Sequence, residues 1–178
     1  MSKSHEKDHE MSAARSLWQA VPYRSVGPIA FGMSDVEVND ALGMPYTRRI
    51  GDRDGFGWLD WYEGVPMSVS FRRGRCVAVT LFSAVIVDDV DLFGMSARRL
   101  RDWARSRAGS LDNESCGFFS RKLGLAMDAP WIDVDDVELA ELDEDPERPA
   151  EAVTCFSQDY VDDPIGGWDP AQGGKSWA

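Results

Sequence analysis

Histidine is almost missing. The 178 residues contain two, His5 and His9, both at the extreme N-terminus. With Glu6 they spell H-E-x-x-H, which holds zinc when it lies on a helix packed through an apolar face and a third ligand is near. "SKSHEKDHEMS" has no apolar face and stands where chains are poorly ordered, so residues 1–18 read as a disordered tail and no metal site is expected. Without another histidine, the Ser–His–Asp and Cys–His arrangements of covalent catalysis have no base. No motif points to a paired-carboxylate site, so the chain reads as a non-enzyme without a cofactor.

Cysteine is scarce too. Cys76, Cys116 and Cys155 are odd in number and widely spaced, which gives neither a disulfide framework nor a zinc knuckle. Each reads as a small buried hydrophobe. No apolar stretch has the length of a signal peptide or a membrane span. These absences lead to the expectation of a cytoplasmic protein without membrane contact. Positive charge is short as well: 19 Lys and Arg stand against 31 Asp and Glu, a net charge of −12. That balance disfavours nucleic acid, which requires a basic surface, and suits a basic protein partner.

The chain is rich in core-forming material, with 43% hydrophobic residues, seven Trp and eight Phe. One tetrapeptide occurs twice. Phe31-Gly32-Met33-Ser34 and Phe93-Gly94-Met95-Ser96 each follow an alternating apolar run and open a helical pattern. Ser34 with Glu37 forms a capping box and Ser96 is a plain N-cap. Val38, Ala41 and Leu42 make one apolar stripe; Leu100, Trp103 and Ala104 make the other. Gly43 and Gly109 end the two helices. Strands are expected at 57–63, 66–72 and 76–82, with a hairpin turn at Arg72–Arg75, and again at 117–122, 123–128 and 152–157.

The fold class expected is therefore α+β: two tandem strand-helix-three-strand units, at 19–86 and 87–158, forming one antiparallel sheet with helices on one face. Residues 159–178 read as an irregular tail. Their "GGKS" lacks the upstream glycine and the flanking strand and helix of a phosphate loop. "FGMS" after a strand, repeated in tandem, resembles the β-lactamase inhibitory protein fold and is similar to the small outer-membrane lipoproteins of β-barrel assembly. That resemblance implies a module that binds other proteins through the exposed face of its sheet. A cytosolic, acidic tandem chain of this type looks like a bacterial immunity protein, which neutralises a cognate toxin by occluding it. A small-molecule-binding or regulatory domain using the sheet concavity is the alternative.

Two groups of residues are candidates for the partner contact. In "GFGWLDWYEG", alternation puts Trp58, Asp60 and Tyr62 on one face and Leu59 and Trp61 on the other. Leu59 prefers the inside, so Trp58, Asp60 and Tyr62 are expected to be exposed as aromatic anchors. The second group is the run Asp133, Asp135, Asp136, Glu138, Glu141, Asp143, Glu144, Asp145 and Glu147. It reads either as an acidic patch that steers a basic partner or as a solvated segment facing the chain's own arginines. Arg98, Arg99, Arg101, Arg105 and Arg107 line one helix and read as a solvated face or as an acidic-partner contact.

Overall fold

A computed structural model describes residues 18–51, 57–114, 117–128 and 149–162. It is a mixed α/β molecule built on one large antiparallel sheet with few helices. Three short strands, β1 (Ala20–Val21), β2 (Ser25–Val26) and β3 (Ile29–Ala30), open the chain. Helix α1 (Asp35–Leu42) follows, then four strands: β4 (Arg48–Gly51), β5 (Gly57–Tyr62), β6 (Met67–Arg72) and β7 (Arg75–Leu81). A small hairpin, β8 (Ile86–Val87) and β9 (Val90–Asp91), leads to helix α2 (Ala97–Ala108). Strands β10 (Asp112–Glu114), β11 (Gly117–Ser120), β12 (Leu125–Asp128) and β13 (Ala152–Phe156) come next, and a short helix, α3 (Gln158–Asp162), ends the described chain.

The main sheet has eight strands in the order β10-β11-β12-β13-β7-β6-β5-β4. Its two sequential runs of four strands meet at the β7–β13 pair, where Thr80 lies opposite Thr154. Both expected three-strand meanders thus carry a fourth strand, β4 and β10. Neither shows the apolar alternation that marks a half-buried strand, and all four residues of β4 are exposed.

The local signals act as the sequence requires. Ser34 accepts from the Glu37 backbone while Glu37 accepts from the Ser34 backbone at 2.8 Å, closing the capping box of α1. Gly43 ends that helix at φ 67°, a left-handed conformation that a Cβ disfavours. Ser96 holds the N-cap place of α2, but its hydroxyl makes no capping bond. Position N3 there is Arg99, so no reciprocal carboxylate exists, and Ser96 forms a backbone bridge to Pro149 instead.

Registers fix the two faces. Met67, Val69 and Phe71 of β6 lie beside Leu81, Val79 and Cys76 of β7. A shift between Ser70 and Phe71 leaves Val77 outside the alternation expected of it. These side chains share one buried cluster with Val38 of α1 and Leu100, Trp103 and Ala104 of α2, so both longer helices cover the same face. Helix α3 lies on the other face, where Phe119, Phe156 and Ala78 pack with Tyr160 and Val161. The chain from Gln158 to Asp162 is thus helical, where an irregular tail from 159 was expected.

Candidate protein-docking face

Asp60 and Tyr62 are buried at 0% and 2% exposure, and Trp58 is half-buried against the core, so the expected exposure of these three residues is overturned. All three point toward α1. The reason is an arginine paired across the strands: Arg49 of β4 lies opposite Asp60 of β5. Arg49 Nε donates to Asp60 Oδ1 at 2.6 Å, and its Nη2 donates to Asp60 Oδ2 and to Asp35 Oδ2, both at 2.7 Å. The guanidinium also lies over the Tyr46 and Trp58 rings, 4.3 and 4.9 Å from their centroids. Trp58 stacks on Phe71 at 5.2 Å. Tyr62 donates its hydroxyl to Asn39 Oδ1 at 2.9 Å, tying β5 to α1.

The electrostatics follow from these contacts. The hydrogen bond from Arg49 holds the Asp35 carboxyl below the ordinary carboxylate range. The bonds to Asp60 raise the Arg49 guanidinium still further above neutrality. Burial pushes the Tyr62 hydroxyl up. An inward-facing carboxylate is stable here because both its oxygens are paired with one planar cation.

The other face of β5 carries Leu59 and Trp61, both half-exposed. The Trp61 ring stacks on Phe82 with centroids 5.4 Å apart and planes 12° from parallel. Ile50 of β4, opposite Leu59, is 47% exposed, and Phe82 is 38% exposed. Together Ile50, Leu59, Trp61 and Phe82 make an apolar shelf at one side of the sheet. Ser68, across from Trp61, is buried, and the Thr80 and Thr154 hydroxyls bond to each other at 2.9 Å. Beyond this hydroxyl strip the same face is closed by Phe119 and Phe156, stacked at 4.7 Å, with Tyr160 stacked on Phe156 and Tyr23 edge-on to it. One half of the face is thus covered by α3 and Tyr23. Among the described residues nothing covers the shelf.

Asp133, Asp135, Asp136, Glu138, Glu141, Asp143, Glu144, Asp145 and Glu147 lie outside the described residues. The chain leaves for that run after Asp128 and returns at Pro149. Asp128 pairs with Ala152, next to the Val153–Leu81 pair, so the run is attached at the end of the sheet where Phe82 stands. Its return point, Pro149, is bridged to Ser96 at the start of α2. Arg98, Arg99 and Arg105 of α2 are exposed, while Arg107 lies 4.6 Å over the Trp103 ring and 3.6 Å from Asp88.

His5, His9 and Cys116 are outside the described residues. Cys76 and Cys155 are buried, which pushes both thiols up to about 12. Among the described residues no group of three His, Cys, Asp or Glu is placed to hold a metal ion, and no helix is long and apolar enough to cross a membrane. What the open face offers is apolar area, aromatic rings and hydroxyls. Comparison with protein-family models, with curated proteins and with solved structures gives no match.

Proposed function

We propose that this chain is a non-enzymatic protein-binding module that docks its partner on the uncovered half of the sheet face opposite α1 and α2. The observation that carries this reading is the Trp61–Phe82 stack, left half-exposed with Ile50 and Leu59 beside it. Rigid aromatic anchors of this kind supply much of the affinity of protein interfaces. The acidic run from Asp133 to Glu147, attached at the Phe82 end of the sheet, supports a partner with a basic surface around its apolar contact. In its fullest form the reading is an immunity protein that occludes a toxin, with no nucleic acid bound. The arrangement of a helix followed by four strands, present once on each side of the β7–β13 pair, supports a tandem two-unit origin.

The test is capture of the partner by the tagged chain, followed by affinity measurement with Trp61→Ala and Phe82→Ala. Each substitution should weaken binding at least tenfold, about 1.4 kcal/mol, with thermal unfolding nearly unchanged. Full affinity in both variants would remove the shelf from the interface. The hydroxyl strip of Ser68, Thr80 and Thr154 between two aromatic groups favours one second reading, a small-molecule site on this face. A ligand retained in native mass spectra, with no captured protein, would establish it instead.

A further inference from the structure

We infer that β4 is a dimerisation edge, through which two copies of this chain pair antiparallel with Ile50 on the two-fold axis. This does not depend on the partner reading above. Strand β4 ends the sheet, all four of its residues are exposed, and among the described residues nothing pairs with its outer side. Such an edge presents unpaired backbone donors and acceptors.

The register of a self-pair is set by side-chain parity. Arg49 and Gly51 belong to the α1 face of the strand, because Arg49 lies opposite the buried Asp60 and Gly51 opposite Trp58. Arg48 and Ile50 belong to the open face. Residues directly opposed in an antiparallel pair share a face, so one β4 residue must oppose its own copy. Centring on Arg48 or Arg49 would set like charges opposite each other, which is destabilising. Centring on Gly51 would leave almost no overlap within β4. Centring on Ile50 opposes Ile50 to Ile50 and Arg49 to Gly51. The Arg49 guanidinium is already held by Asp60 and Asp35 and meets only a glycine across the pair.

Packing and charge agree with that register. Ile50, 47% exposed in one copy, becomes the centre of an apolar band joining the two shelves of Leu59 and Trp61. The acidic run is attached to β12 and β13, which stand five and four places from β4 in the sheet order. At about 4.8 Å per strand its attachment points are ~22–26 Å from the axis, beyond the screening length of about 8 Å at physiological salt. The edge itself contains no carboxylate.

Sedimentation equilibrium of the full chain between about 10 µM and 1 mM should show the average mass rising toward twice that of the monomer. Ile50→Lys should keep the protein monomeric over that range, with a thermal midpoint equal to that of the unaltered chain at its most dilute. Ile50→Cys, in a Cys116→Ser background, should form a disulfide dimer on mild oxidation. Leu59→Cys should not, since the two copies of β5 would stand three strand spacings apart, ~14 Å, where a disulfide cannot form. A monomer at every concentration would overturn the inference, as would equal cross-linking of the two cysteine variants.

Discussion

Asp60 is a carboxylate with no exposure to solvent, and Arg49 is the cation that makes it tolerable there. Removing one member of such a pair strands the other, which costs roughly 3–5 kcal/mol, whereas replacing both with well-packed apolar groups is far milder. Arg49→Met should therefore lower stability by about that amount in urea unfolding, and Arg49→Met with Asp60→Leu should recover most of the loss. A loss under about 1 kcal/mol would show an exposed pair of the weak kind. The titrating groups set a second expectation. The Asp35 carboxyl is held below its ordinary value of 3.8 by Arg49, so its contribution is present above that pH and is lost as pH falls further. The Cys76 and Cys155 thiols ionise at about 12 when folded, against 9.0 ordinarily. Between those values the unfolded chain releases protons that the folded chain keeps, so stability falls as pH rises from about 9 to 12. Urea midpoints measured across pH should decline on both limbs, and Cys76→Ala with Cys155→Ala should flatten the alkaline one.

Elements built from strong local codes were legible in the sequence. Ser34, Glu37 and Gly43 bound α1 where the capping signals placed it, and the alternation in Met67–Arg72 marked β6. Strands β4 and β10 were not legible, because "RRIG" and "DNE" contain no alternating apolar residues and take their place from the neighbour they pair with. The orientation of β5 was misread for a related reason. An aliphatic residue such as Leu59 normally takes the inside, and only the pairing of Arg49 with Asp60, 11 residues apart, puts the carboxylate face there instead. The β6–β7 hairpin allows a direct test of a local code. Arg73 and Gly74 both have positive φ, at 50° and 74°, as a two-residue type I′ turn demands. Arginine is poorly suited to that conformation and asparagine well suited. Arg73→Asn should stabilise the fold by about 0.5–1 kcal/mol in chemical unfolding; a destabilised variant would show that contacts of the Arg73 side chain outweigh its backbone strain.

Over the whole molecule, charge is distributed unevenly. Residues 129–148 hold nine carboxylates and one arginine, a net −8 of the chain's −12. The rest of the chain is close to balanced, so long-range steering of a partner falls mainly to this one segment. Replacing Asp135, Asp136 and Glu138 by lysine should slow association and flatten its dependence on salt while changing dissociation little. Association rates of the unaltered chain that stay constant from about 50 to 500 mM salt would sink the steering role, since exposed charges are strongly screened over that range.

The β7–β13 seam has a consequence for how the molecule is made. Strand β7 is seven residues long and forms the central partner of a strand that is translated about 75 residues later. At ~5–20 residues per second the ribosome needs roughly 4–15 s to supply it. During that interval Ala78 to Leu81 form the unpaired rim of a half-built sheet, a template for unwanted strand pairing until Ala152 emerges.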